Sequence, residues 1–382
     1  MKSFLKVFLI VAVGASLGIF AYLGYTTLPR ELSWPVALAL FFIVYMFGLS
    51  VHELGHFIAF YLQGIPCRGI FIFFLLFIKR NHRWRLEIRW NLITLFGGVV
   101  FPDYDNTIDE NNFTEVRKAF ARAVLWGPIA SVLIAVLSAL AFVFTSGLSN
   151  GIAQVLTYYS SVYLAFIAFF IVLLSMLENE AAIGDFPAYR YFRRDDFFSA
   201  LQLKQSYIYA SKPLKYRNQT EYLSVVLDHG IQERVERQDY SLFTYEAVHQ
   251  RLMHYLSGDL NELPQSVEIV VKELYAHRMH FHSRLEIAKV LAFRIVPIVD
   301  ELYGKMVAED YYRAAIVRFV KRDKVLEYLR KQQAHYLKLE DHSEFLSNKD
   351  NITTTMLHPV LKFFEGYTLD DERFNRRIAH TP

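Results

Sequence analysis

Cysteine is almost absent: Cys67 is the only one in 382 residues. No intrachain disulfide can form, so nothing ties the chain to an oxidising compartment. A strong charge of one sign is also missing. Lys and Arg number 41 against 38 Asp and Glu, a net +3, too little to argue for a nucleic-acid partner. The chain has no Gly-rich phosphate loop, no repeat period and no low-complexity tract, which removes the usual signs of nucleotide binding or a solenoid. Histidine is scarce in the apolar half. Only His52, His56 and His82 fall in the first 200 residues, too few for a membrane desaturase or hydroxylase built on several histidine boxes.

Apolar sequence is plentiful. Hydrophobic residues make up 53% of a chain with room for roughly two domains, and the excess lies before Leu177. Phe4 to Tyr25, behind Lys2 and Lys6, is longer than a signal h-region and has no small-x-small cleavage site after it, so it reads as a retained transmembrane helix. Trp34 to Leu62, Ala119 to Thr145 and Ile152 to Leu177 read as three further spans. Gly64 and Pro66 stop the second, and Gly127-Pro128 lies inside the third. Between them, Ile70 to Ile78 is too short to span, and Arg85 to Trp90 alternates polar with apolar. With the polar turn Lys79 to His82 these predict a β-hairpin near or slightly inside the membrane surface. Gly97-Gly98 allows a bend or a close backbone approach.

From Ala188 on, no window reaches a spanning length. Helical periodicity marks Ser241–Leu256, Ser266–Tyr275, Leu285–Tyr303 and Tyr311–Tyr336, and the tail after Asp341 is polar, as a frayed end would be. The expected architecture is an α-helical polytopic membrane protein of about four transmembrane helices with a membrane-associated β-hairpin, plus an α-helical C-terminal domain. The domains are drawn at 1–187 and 188–382.

The chemistry gathers at His52-Glu53-Leu54-Gly55-His56, near the end of the second span. On a helix, His52 and His56 are one turn apart on one face and can share a zinc ion. Glu53 lies beside them, where a carboxylate can take a proton from water that the metal activates. Such groups are costly in a membrane and rare there without a task. Positive flanking charge sets the orientation. Gly64 to Arg122 carries Arg68, Lys79, Arg80, Arg83, Arg85 and Arg89, then Arg117, Lys118 and Arg122, whereas the loop between the third and fourth spans has no basic residue. The motif therefore sits about 10 Å from the cytosolic end of its helix. The acids after the fourth span (Glu178, Glu180 and Asp185) leave the membrane on the same side, where a third ligand is needed.

These residues resemble the site-2 protease family of intramembrane zinc metalloproteases. The resemblance rests on the motif, on Gly97-Gly98, on Gly127-Pro128 and on Asp185, and covers about residues 34–190. It implies one zinc ion per chain held by His52, His56 and Asp185, with Glu53 as general base. It also implies a membrane-spanning protein or membrane-inserted peptide precursor as substrate. Two departures stand out. Ser131 replaces the asparagine that commonly follows the Gly-Pro, and Asp185 follows Asn179 closely, with Phe186 after it and no proline between. Gly97, Gly98 and Ser131 are the expected substrate contacts.

The expected partners are that substrate, the lipid bilayer and a protein at the C-terminal domain, with no nucleic acid. The expected location is a bacterial cell membrane with residues 188–382 in the cytosol. Two alternatives stand beside this reading. One is a membrane zinc protease of another family, with Glu178 or Glu180 as third ligand. The other is a non-catalytic membrane scaffold or immunity protein. His277, His280 and His282 read as a surface cluster.

Overall fold

The computed structural model describes residues 33–80, 83–90, 97–104, 109–145, 152–179, 182–206, 221–276, 286–319, 323–352 and 370–379. The expected first span and the His277–His282 cluster lie outside them. The described chain forms two compact units. The first takes residues up to Val100, Arg122–Leu177 and Gly184–Tyr189, and the second takes the rest.

The first unit is built on helix α1, Ser33–Leu62. Its Leu38–Leu62 part is long and apolar enough to cross a membrane, as is Glu110–Ala141 of α2 (Glu110–Thr145). In α3, Ile152–Ser175, the apolar stretch Tyr159–Ser175 is shorter. Two of the expected spans thus meet the length criterion among the described residues. Pro128 sits inside α2, which stays helical through it. Val44 of α1 packs with Tyr159, Tyr163, Ile167 and Ile171 of α3. Gly48 is part of that seam, because a Cβ there would lie 3.1 Å from Ile167 Cγ2.

The expected hairpin is a four-stranded antiparallel sheet. Its strands are β1 (Cys67–Ile72), β2 (Leu75–Arg80), β3 (Arg83–Ile88) and β4 (Gly98–Pro102), in the order β3-β2-β1-β4. The run Ile70–Ile78 is therefore not one strand. It folds back on itself at Phe73-Phe74, with Ile72 opposite Leu75. Phe73 takes a left-handed backbone (φ 60°), which costs a residue with a side chain about 1–2 kcal/mol. Burial offsets this: Phe73 packs edge-on against Phe42 at 5.5 Å and Tyr45 at 5.8 Å, and its N–H donates to the Gly97 carbonyl at 2.8 Å. Farther along, Trp84 of β3 meets Phe57 at 6.0 Å. The sheet's contacts thus run from Phe42 to Phe57 of α1, about 20 Å at 1.5 Å per residue. It lies along α1 rather than beyond its end.

The second unit is helical. Its longer helices are α4 (Asp185–Arg194, shared with the first unit), α5 (Asp196–Ser206), α6 (Glu221–Glu236), α7 (Leu242–Leu256), α8 (Gln265–Ala276), α9 (Glu286–Arg294), α10 (Val296–Tyr303), α11 (Lys305–Phe319), α12 (Lys324–Tyr336) and α13 (Asp370–Ala379). The periodic stretch Leu285–Tyr303 breaks at Ile295, and Tyr311–Tyr336 is interrupted at Asp323, whose extended backbone and carboxylate cap α12 through Val325 N–H at 2.8 Å. The polar tail does not simply fray. Arg373 of α13 binds Asp259 and Ser257, Arg377 Nη1 donates to the Tyr255 and Leu256 carbonyls that end α7, and Asp371 meets the buried Arg294.

Candidate metal centre

His52 and His56 lie one turn apart on α1 because the motif is helical throughout. Their Nε2 atoms stand 3.2 Å apart. Each ring is held through its other nitrogen. His56 Nδ1 lies 2.8 Å from the Ala123 carbonyl oxygen. A carbonyl can only accept, so Nδ1 carries the proton and Nε2 keeps its lone pair for a metal. His52 Nδ1 lies 2.9 Å from Ser131 Oγ.

Asp185 completes the group. Its Oδ2 is 3.2 Å from His52 Nε2 and its Oδ1 is 3.8 Å from His56 Nε2. Asp185 opens α4, after the short β5 (Glu178–Asn179) and β6 (Ala182–Ile183). Two features bring it there. Gly184 N–H donates to the Leu177 carbonyl at 2.8 Å, and a Cβ at Gly184 would lie 2.5 Å from Ser175 O, so no other residue fits without movement. Ser175 Oγ then reaches Asp185 Oδ2 at 2.9 Å. Burial pushes the Asp185 carboxyl up, but the His52 hydrogen bond, the two imidazoles and Ser175 outweigh it and hold it below its ordinary value.

The donor set can be tested for fit. Metal bonds of about 2.0–2.2 Å in a tetrahedron put neighbouring donors about 3.3–3.6 Å apart. His52 Nε2 is 3.2 Å from both His56 Nε2 and Asp185 Oδ2, close to that range, and His56 Nε2 faces the other carboxylate oxygen, Oδ1, at 3.8 Å. Two imidazoles and one carboxylate also form a donor set that zinc takes, with a fourth position left open. These three residues are the group among the described residues whose donor atoms gather within 4.8 Å. Glu178 is engaged elsewhere: its carboxylate accepts from Arg190 at 2.8 Å and Tyr191 at 2.6 Å. Glu180 lies outside the described residues.

Three glycines let the elements close on the centre. A Cβ at Gly98 of β4 would lie 2.3 Å from Glu53 Cγ, and one at Gly127 would lie 2.2 Å from His56 Nε2. At Gly55 it would meet the Trp126 carbonyl oxygen at 2.6 Å. Gly98 is thus brought onto Glu53. Gly97 stands next to it and accepts from Phe73. Ser131, expected to meet substrate, is fully buried, with its hydroxyl on His52. The roles of Ala123, Ser175 and Gly184 were not foreseen. An alanine carbonyl and a serine inside an apolar helix carry no signal in sequence, and Gly184 had only its place before Asp185.

The family model for peptidase family M50 matches residues 40–327. Searches of curated proteins and of solved structures returned no match.

Proposed function

We propose that this chain, which belongs to peptidase family M50, the site-2 proteases, is a zinc endopeptidase that cuts a peptide bond in or near a membrane-spanning segment. The family's members are metal-dependent membrane peptidases. The observation that carries the reading is the convergence of His52 Nε2, His56 Nε2 and the Asp185 carboxylate: the two nitrogens are 3.2 Å apart, and they face Asp185 Oδ2 at 3.2 Å and Oδ1 at 3.8 Å respectively. In this reading His52, His56 and Asp185 hold the metal. A zinc ion bound there supplies Lewis acidity toward water and toward a carbonyl oxygen.

The other steps belong to the chain's own groups. Glu53 is buried next to His52. Its carboxylate takes the proton of the attacking water and returns it to the nitrogen of the leaving amine. The dry surroundings strengthen each of these electrostatic contacts. A helical substrate must unwind first, because its scissile bond is shielded by its own backbone. The outer edge of β4 at Gly98–Val100 is suited to receive the unwound stretch as an added strand, since β4 ends the sheet and Gly98 backs onto Glu53. The substrate is then a membrane-spanning protein or a membrane-inserted peptide precursor. The exposed Trp84, Leu86 and Ile88 of β3 suit contact with the bilayer. Residues 188–382 are read as a cytosolic domain that can engage a protein partner, in a bacterial cell membrane.

The test is Glu53→Gln in the full chain, with fragments of membrane proteins compared by proteomics and bound zinc measured on purified protein. Cleavage should fall by about 10²–10⁴-fold while zinc stays at one per chain. A Glu53→Gln protein with full activity overturns the reading and favours the scaffold alternative. If Glu178→Gln empties the site of zinc and Asp185→Asn does not, the third ligand is a glutamate.

A further inference from the structure

We propose that Ser175 is the positioning residue for the third metal ligand, a role that rests on the metallopeptidase reading above. Asp185 does not project from a long helix as His52 and His56 do. It begins α4, on a backbone that leaves α3 at Ser175 and returns through β5 and β6. A carboxylate at a helix start would sample several rotamers unless something fixed it. Ser175 Oγ is 2.9 Å from Asp185 Oδ2, the same oxygen that faces His52 Nε2 at 3.2 Å. The hydroxyl thus orients that oxygen toward the donor group.

Ser175 is 4% exposed, and its Oγ is also 3.0 Å from the Ile171 carbonyl oxygen, four residues back. A hydroxyl has one proton for these two acceptors. An ionised carboxylate is the stronger acceptor, so the proton goes to Asp185. The Ile171 carbonyl remains as a fallback, which spares the buried hydroxyl from being orphaned. The neighbouring backbone is arranged around this contact, because Gly184 lies against the Ser175 carbonyl where a Cβ would come within 2.5 Å. The three ligands then share one plan, each with a single outer partner: Ser131 for His52, the Ala123 carbonyl for His56, Ser175 for Asp185. Outer partners of this kind set ligand orientation and metal affinity.

Ser161 provides the control. It lies on the same helix, is 6% exposed, and donates to the Thr157 carbonyl at 2.9 Å. It makes the same backbone contact as Ser175 without touching a ligand. The experiment compares Ser175→Ala and Ser161→Ala in the full chain in detergent. It measures zinc affinity by chelator competition and the visible d–d bands after cobalt substitution, with thermal unfolding of the metal-free protein as a fold check.

Ser175→Ala should bind zinc about 10–100-fold more weakly and shift the cobalt bands, while Ser161→Ala leaves both unchanged. Equal losses in the two variants would make Ser175 a packing residue only and overturn the proposal. So would a Ser175→Ala protein with wild-type affinity and spectrum. If Ser175→Ala does not fold, Ser175→Thr, which keeps the hydroxyl, decides. Recovery of the wild-type cobalt spectrum supports the role, and a folded Ser175→Thr with altered bands and weakened zinc opposes it. A wild-type protein that binds no metal defeats the metallopeptidase reading, and this proposal with it. Normal wild-type binding with an unaffected Ser175→Ala defeats this proposal alone.

Discussion

The two units bury polar groups in different ways. In the first unit the ionisable ones converge: His52 and Glu53 are buried at one point with Ser131 and Ser175, Asp185 is brought to it, and Ser138 and Ser161 bond back to their own helices. In the second unit they are spread through the interior. Arg294 is 1% exposed and meets Asp371 and Gln332, Arg251 chelates Asp228 at 2.6 and 2.7 Å, and Lys204 meets Ser224 at 2.7 Å. Polar groups in a membrane are costly enough to be kept to a site with a task. In the helical unit, similar groups connect helices distant in sequence. A substitution at that point of the first unit should therefore act on metal binding, and one among the buried ion pairs of the second on stability.

Gly127→Ala gives the largest expected effect. The added Cβ would lie 2.2 Å from His56 Nε2, the atom assigned to the metal. The imidazole must move, and zinc retention should be lost. The control is Gly64→Ala. Gly64 has open space around its Cβ position and a left-handed backbone (φ 74°), so this change should cost about 1 kcal/mol of stability and leave zinc bound. Zinc content of the two purified proteins checks the contrast. A Gly127→Ala protein with one zinc per chain would break it.

Asp371→Ala tests the other side. Arg294 Nη2 donates to Asp371 Oδ2 at 2.8 Å, and Gln332 Nε2 donates to Oδ1 at 3.0 Å. Removing the carboxylate leaves a guanidinium buried without its counter-charge, which costs about 3–5 kcal/mol. The double variant Arg294→Met/Asp371→Leu should recover much of that loss, because it removes the charge as well as the partner. Thermal unfolding of the full chain reads both, and zinc content should not change in either. Loss of zinc from Asp371→Ala would show that the two units are not separable in this way.

Much of the site was legible in the sequence, for physical reasons that differ along the chain. His52, Glu53 and His56 are fixed by helical spacing alone. Asp185, Glu178 and Glu180 follow the same apolar stretch and look alike as acids; only the family resemblance singles out Asp185, whereas in the fold Arg190 and Tyr191 engage Glu178. The sheet was half visible. Phe73-Phe74 makes a turn without glycine, asparagine or proline, and its cost is met by rings on a helix some thirty residues earlier. The break at Ile295 is hidden because apolar periodicity continues across it. Helix α13 was read as a loose tail because its contacts are ionic, and a run of Asp and Arg looks the same whether it is solvated or clamped.

The smallest expected effect is one of pH, and it sharpens the contrast further. His249 belongs to α7, and its Nε2 is enclosed with no hydrogen-bond partner among the described residues. Burial, and then the nearby Arg294 guanidinium, push its pKa down to about 4, while Asp371 acts the other way. The folded state therefore keeps His249 neutral below its ordinary value of about 6.5, where the unfolded chain takes up a proton. With more protons bound to the unfolded state, stability falls as pH drops from about 6.5 to about 4, by at most about 1.4 kcal/mol per pH unit, and the slope vanishes below that. His249→Gln should flatten this stretch of the curve by one proton. Melting temperatures of the full-chain proteins between pH 4 and 7 measure it, both made metal-free so that ligand protonation at the metal centre does not enter through zinc release. Identical slopes in the two proteins would mean that His249 is protonated in the fold. The charge of Asp371, which already favours the protonated ring, would then outweigh burial and Arg294.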